Sequence, residues 1–404
     1  MKWTSILAGI TASLLISVSA HAQDNAKPIR IGVLSDMSGG FADVSGPGAV
    51  VAAEMAIEDY RKLHPGRGAE VIGGDHQNKA DVGLGLVRRW VDQDGVDVVI
   101  DVPNSAIALG VSDFMAGANK VFLGTGGVSS QLTGARCTPN TVHYSIDTWT
   151  MANVPTTAMV KEGGDTWFYV STDYAFGHDM EAQSTAALEK AGGKKLGSVA
   201  YPLGSMDFSS FLLQAQASGA KVVALAAPNG DFVNALKQAK EFGMLDGDKS
   251  VLGLAVYISD IVSLGTDVAK GAVVTNNWYW NKDEATRDFA KRFGERFNGK
   301  VPTSLQAGAY AAVWHYLKAV DALNGDSSDG KAVVAKMKEL PGDDPIYGPS
   351  TIRQDGRRMS PVYVYRVKDA PADNPNDVYE LVREVPVEEA YRPLAEGGCP
   401  LVTQ

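Results

Sequence analysis

Two cysteines and six histidines in 404 residues leave little room for metal or redox chemistry. There is no C-x-x-C pair and no cluster of Cys with His, which excludes a zinc-finger type of site and a dithiol redox motif. The nucleotide and hydrolase signatures G-x-x-x-x-G-K-[ST], H-E-x-x-H, G-x-S-x-G and G-x-G-x-x-G are all missing. Positive charge is in deficit as well: 37 Lys and Arg stand against 47 Asp and Glu, a net charge of −10 that repels nucleic acid. No apolar run beyond residue 22 approaches the roughly 20 residues that a membrane span needs. The expectation is a chain with no metal, no cofactor, no nucleic-acid partner and no catalytic residues.

What is present begins with an export segment over residues 1–22. Lys2 supplies a positive start, residues 6–18 an apolar core, and Ala20-His21-Ala22 a small-x-small cleavage site, so cleavage is expected after Ala22. Thr11, Ser13 and Ser17 interrupt the apolar run, which argues against an anchor. In an oxidising compartment an even cysteine count favours a bridge between Cys137 and Cys399, the other reading being two buried thiols. The length exceeds what one core usually holds, so two domains are expected.

Along the chain, strands alternate with helices. A buried strand over 29–34 leads through a glycine-rich loop into a helix that Pro47 can open, because proline's missing N–H costs nothing in a first helical turn. Strands over 69–75, 96–102 and 121–123 follow, with helices over 81–92 and 107–118 between them. The pattern then restarts, with strands over 167–171, 198–201, 221–226 and 250–256 and helices over 180–191, 208–217 and 231–242. This spacing means parallel sheets covered on both faces, and two successive arrays mean two similarly built lobes. After a strand at 272–275 come N-N-W-Y-W, helices over 286–297 and 304–323, a hairpin over 351–368 turning at Asp355-Gly356, and an irregular tail beyond residue 370 that Cys399 would hold down.

Polar and aromatic residues collect where strands end in both arrays, as a ligand cleft between two α/β lobes requires. Gly124-Thr125-Gly126-Gly127 lacks the lysine of a phosphate loop and suits a carboxylate or a plain turn. His143, His178 and His315 stand singly, as satisfied structural histidines do. Asp173 and Asp179 flank Tyr174 and Phe176 and read as a solvated loop face rather than an acid pair.

The order of several segments carries a family resemblance. S-D-M-S-G-G-F-A-D-V-S-G-P-G after the first strand, V-V-I-D-V-P-N-S-A-I-A-L, V-F-L-G-T-G-G-V-S-S-Q-L-T-G, Y-V-S-T-D-Y-A-F-G, M-D-F-S-S and Y-G-P-S-T-I-R-Q-D-G together resemble periplasmic solute-binding proteins of the leucine/isoleucine/valine type, which serve ABC importers. The resemblance implies an α/β fold of two doubly wound parallel-sheet lobes joined by a three-strand hinge. Lobe one would comprise 28–146 and 276–350, lobe two 147–275 and 351–370, with a tail over 371–404 and crossings near 145–150, 271–277 and 347–353. It implies a periplasmic monomer that hands its ligand to inner-membrane permease subunits.

By the same resemblance, Asn104 or Ser105 with Gly126 and Gly127 would hold a ligand carboxylate, and Phe41, Tyr174 and Phe176 would wall the ligand. Asn229, Tyr257 and Trp278, at strand ends of the same kind, join them as candidates, with Tyr279 adjacent. Two positions depart from the family pattern. Val128 stands where the family has a hydroxyl, and Leu254-Ala255-Val256 stands where the family carries the acid that grips an ammonium. A buried ammonium without an anionic partner is costly. The expected ligand is therefore a small non-amino carboxylic acid, with an aromatic acid fitting the ring-lined wall. The alternatives are an amino-acid binder of the same family, or an exported enzyme or sensor on the same scaffold.

Overall fold

A computed structural model describes residues 27–245 and 249–402; the export segment and its cleavage site lie outside the described residues. Five parallel strands form the first sheet in the order β2-β1-β3-β4-β5: β1 (Ile29–Ser35), β2 (Ala69–Asp75), β3 (Val98–Asp101), β4 (Val121–Gly124) and β5 (Thr141–His143). β1, β3 and β4 are buried almost end to end, which is why they read as continuous apolar runs rather than alternating ones. The helix Gly46–Leu63 starts with proline in its first turn, as the sequence implied, and packs along Ser304–Ala322 with the Tyr60 and Trp314 rings edge to face at 5.1 Å.

The second sheet repeats the plan with β6 (Thr166–Thr172), β7 (Lys194–Tyr201), β8 (Val222–Ala226) and β9 (Ser250–Gly253), ordered β7-β6-β8-β9 and all parallel. β10 (Val273–Asn276) lies beside the helix Thr148–Lys161 of this lobe. The chain then returns to the first lobe for β11 (Gly342–Asp344), β12 (Gly348–Ile352) and β13 (Arg358–Met359), a small antiparallel sheet. It ends with β14 (Val362–Val367), which pairs with β10, and β15 (Tyr379–Val385).

Two expectations change here. The hairpin over 351–368 is cut short: β12 pairs with β13 for two residues, Ser360 and Pro361 break the ladder, and β14 pairs with β10 and β15 instead. Proline cannot donate a ladder hydrogen bond, so the arm ends there and the third passage between lobes falls at 360–361 rather than within 347–353. The tail is also not irregular throughout, because β15 forms the edge of the β10-β14-β15 sheet. Its run of exposed Glu380, Leu381, Val382, Arg383 and Glu384 carries the charges usual on an edge.

The first passage, between β5 and Thr148–Lys161, is held by the buried Arg357. Its guanidinium donates to the carbonyls of His143 (2.8 Å) and Ser145 and lies 3.1 Å from Asp147. Burial alone would raise the Asp147 carboxyl, yet Arg357 beside it and the Thr150 N–H at 2.9 Å hold it below its ordinary value. Beyond β15 the tail crosses back over the first lobe. The Ala390 carbonyl accepts from Thr150 Oγ1 (2.7 Å), Arg392 donates to the Ser130 carbonyl (3.0 Å), and Cys137 is bridged to Cys399 with Cα atoms 5.6 Å apart.

Candidate functional site

The carboxyl ends of both parallel sheets face one narrow cavity. The first lobe supplies Phe41 and Val44 after β1, Pro103 after β3, and Gly126 and Val128 after β4, with Leu305 from the head of Ser304–Ala322. The second lobe supplies Tyr174 and Phe176 after β6, Pro228 and Asn229 after β8, and Ala255 and Tyr257 after β9. The cavity volume is only about 20 Å³, room for about one water, so a ligand enters only where the two walls part, and most of those walls are rings and aliphatic groups.

The first-lobe wall rests on a strained turn. Asp101 and Val102 have φ of 82° and 61°, a region that a β-branched valine enters only under constraint. The constraint is visible: Val102 N–H donates to the Leu34 carbonyl (2.9 Å), Ser45 Oγ donates to the Asp101 carboxylate (2.5 Å), and the Gly126 N–H donates to the Asp101 carbonyl (3.1 Å). Gly126 and Gly127 are required by this approach. A Cβ on Gly126 would lie 2.5 Å from the Asp101 carboxylate, and one on Gly127 would lie 2.9 Å from the Val102 carbonyl. Burial pushes the Asp101 carboxyl up to about 6 despite the hydroxyls around it.

Of the ten candidate ligand residues, the fold brings Phe41, Gly126, Tyr174, Phe176, Asn229 and Tyr257 together at the cavity. Asn104, Ser105, Gly127 and Trp278 do not line it. The Asn104 Oδ1 is engaged by the helix Ser105–Gly117, accepting from Ala106 N–H (3.1 Å) and Ile107 N–H (3.2 Å). The expected glycine cradle is occupied too, since Gly127 N–H, like that of Gly126, points to the Asp101 carbonyl. Ser105 keeps a buried Oγ without a partner. Trp278 belongs to the core, its Nε1 donating to the Ile346 carbonyl (3.0 Å) and its ring 6.0 Å from Phe289; Tyr279 likewise spends its hydroxyl on Asp377 (2.9 Å). Val44, Pro103, Pro228 and Leu305 escaped sequence reasoning because apolar residues in loops carry no chemical signature, and Leu305 reaches the cavity from far along the chain.

No Asp or Glu lines the cavity among the described residues. Two acids close in sequence to Asn229 and Tyr257 turn to their own neighbours. Asp231 accepts from Gly204 N–H (3.0 Å) and Asp260 from Tyr257 N–H (2.9 Å), and burial pushes them up to about 6 and about 7. Against this stand three helices that start at the cavity wall, Ser105–Gly117, Ala175–Lys190 and Asn229–Glu241, each presenting the positive end of its dipole. Asn104 already caps the first of these and Asp231 stands in the first turn of the third, so the Ala175–Lys190 terminus is the one left to favour an anion.

Two further clusters were weighed in the sequence. Asp173, exposed just before the helix Ala175–Lys190, does pair with His178 on that helix (2.9 Å), but Asp179 does not belong to a solvated face. From Ala175–Lys190 it reaches the first lobe, accepting from Ser129 Oγ (2.9 Å), Ser130 N–H (2.9 Å) and Ser130 Oγ (3.0 Å), and within its own lobe it accepts from Thr148 Oγ1 (2.6 Å). His143 Nε2 lies 3.1 Å from Ser145 Oγ, but both are buried away from the cavity. The Ser145 hydroxyl also donates to the Gly127 carbonyl (2.9 Å), and burial pushes the imidazole down to about 3. A base held neutral behind the wall is not placed to activate a nucleophile toward a ligand. His315 is satisfied by Tyr144 and the Leu340 carbonyl.

Comparison with known proteins matches residues 28–373 to the periplasmic binding protein family. A periplasmic binding protein from Burkholderia mallei is 40% identical with a TM-score of 0.88, covering 93% of this chain and 99% of its own. A branched chain amino acid ABC transporter periplasmic ligand-binding protein from Burkholderia xenovorans LB400 is 36% identical with a TM-score of 0.81, covering 92% and 99%. The Leu/Ile/Val-binding protein homolog 6 of Brucella abortus is 23% identical over 377 residues, 89% of this chain and 93% of that protein. At the level of fold alone, the chain matches a Rhodopseudomonas palustris solute binding protein in complex with benzoate (17% identity, TM-score 0.75, 89% and 96% covered). It also matches a leucine-, isoleucine-, valine-, threonine-, and alanine-binding protein from Brucella ovis in closed conformation (17%, 0.78, 94% and 99%).

Proposed function

On the premise that this chain belongs to the periplasmic binding protein family, matched over residues 28–373, we propose that it captures a small carboxylic acid lacking an α-amino group and delivers it to the permease of an ABC importer. The ligand is held between the lobes, which close on it about the connecting segments, and the closed monomer docks at the membrane. Phe41, Tyr174, Phe176 and Tyr257 wall the ligand, Gly126 and Asn229 face it, and the chain does no chemistry on it.

The observation that carries this reading is the charge of the wall: the uncapped N-terminus of Ala175–Lys190 opens there and no carboxylate lines it among the described residues. Such an N-terminus favours an anion by about 0.3–1 kcal/mol. An ammonium in the same cavity would lose its hydration with no counter-charge, which costs several kcal/mol. The benzoate complex of a protein with this fold supports an aromatic acid. The names of the Burkholderia xenovorans and Brucella relatives support an amino acid, the second reading.

Thermal-shift screening of acids against amino acids separates the two. Stabilisation by aromatic or branched aliphatic acids, with none by leucine or valine, is expected; the reverse pattern would overturn the proposal.

A further inference from the structure

The family resemblance implies three passages between the lobes, and the tail makes a fourth. It leaves the second lobe at Val385, which pairs with Val362 at the end of the β14-β15 ladder, and is fastened to the first lobe at Cys399, bridged to Cys137. The exchange of lobes takes a single residue. The Ala390 carbonyl accepts from Thr150 Oγ1 of the second lobe (2.7 Å). The Arg392 carbonyl accepts from Arg353 (2.8 Å) and the Arg392 guanidinium donates to the Ser130 carbonyl (3.0 Å), both partners lying in the first lobe. One residue spans at most about 3.6 Å, so the tail has no slack where it crosses.

Tyr391, the crossing residue, ties this passage to two others. It is 2% exposed, its hydroxyl donates to the Ser360 carbonyl of the third passage (3.0 Å), and its ring lies 5.4 Å from the Arg357 guanidinium that holds the first. The segment falls beyond residue 373, where the match to the family ends.

We propose that residues 386–399 form a strap between the lobes, fastened to the first lobe by the disulfide, that keeps the ligand-free protein near its closed form. Parting the cavity walls carries the helix Thr148–Lys161 away from Ser130, whose N–H lies 3.0 Å from Thr148 Oγ1. With Tyr391 bonded to both neighbouring passages, that motion either bends three passages together or unseats a buried ring. Hydrogen bonds alone would let the tail peel from the first lobe as the lobes part; the Cys137–Cys399 bridge does not. Easier parting means a smaller population of closed protein and weaker capture of any ligand.

The test is small-angle scattering of the ligand-free mature protein in three forms: wild type, the Cys137→Ser/Cys399→Ser double variant, and a form carrying a protease recognition sequence after Ala395 that is folded first and then cut. Ala395 and Glu396 are exposed, and the cut leaves the bridge and both cores in place. The wild-type radius of gyration is expected near that of a compact chain of this length, about 21 Å, and the serine variant and the cut form each gain about 1 Å. A bridge that only stabilises the fold would lower the melting temperature and leave the radius of the folded protein unchanged. Cutting the serine variant adds nothing further, because both changes release the same end.

A radius unchanged in either form would overturn the strap. So would a further gain on cutting the serine variant, which would place the restraint outside the bridge. No ligand enters the measurement, so its failure leaves the carboxylate reading standing.

Discussion

Asp179→Asn tests whether the lobes are held together by the contacts that join them here. Asp179 crosses from Ala175–Lys190 to the first lobe and accepts three hydrogen bonds from Ser129 and Ser130, each between 2.9 and 3.0 Å. A carboxylate is acceptor-only, which suits a site facing donors from five groups once Thr148 and Gln183 are included. Asparagine replaces one oxygen with an NH₂ that confronts those donors; the hydroxyls can rotate to accept, but the Ser130 N–H cannot. A hydrogen bond to a charged group contributes about 1.5–3 kcal/mol. Because the site is only partly buried and the separated lobes would solvate Asp179, a net loss of about 2 kcal/mol from the closed state is expected. With affinity scaling as the population of the binding-competent form, that is about a 30-fold weaker ligand. Titration calorimetry with an acid selected by thermal shift reads the change, and the melting temperature of the ligand-free protein should barely move, since neither core loses a packed group. Affinity within twofold of wild type would refute the reasoning, as would a fall in stability as large as the fall in affinity.

Three other outcomes are expected. Gly127→Ala places a methyl 2.9 Å from the Val102 carbonyl and 2.7 Å from Ala108 Cβ; it should destabilise the protein by about 1–3 kcal/mol in urea unfolding and weaken ligand binding through the displaced turn. Replacing Cys137 and Cys399 together by alanine should lower the unfolding free energy by about 2–5 kcal/mol, and a reductant should then lower the midpoint of the wild type but not of the variant. Burial raises the Asp260 carboxyl to about 7, so its favourable contribution is complete only below its unfolded pKa and fades as pH rises through 7. Asp260→Asn should therefore gain stability relative to wild type more at pH 8 than at pH 4, and a gain independent of pH would contradict this.

Much of the fold was legible because its signals are local. β1, β3 and β4 are unbroken apolar runs, the helices between them carry apolar faces, and Pro47 marks a helix start. The edge strand β15 was not legible, since its solvent-facing residues look like loop and its pairing with β14 is a property of the assembled sheet. The cavity was half legible for a related reason. Strand ends pointed to Phe41, Tyr174 and Tyr257, but nothing in the sequence says that Trp278 finds the Ile346 carbonyl or that the Asp101 carbonyl claims the glycine amides. Asp179 was misjudged because a carboxylate beside loop aromatics looks solvated until the other lobe arrives with Ser129 and Ser130.

The central claim is that the cavity accepts a carboxylate and refuses an ammonium, and ligand pairs that differ only by the amino group test it most directly. Titration calorimetry of leucine against 4-methylpentanoate, and of phenylalanine against 3-phenylpropanoate, compares equal shapes with and without the charge. The account predicts that at least one amine-free acid binds and that its amino-acid counterpart binds at least about 100-fold more weakly, the consequence of an uncompensated buried ammonium. Tighter binding of the amino acid in both pairs would contradict it.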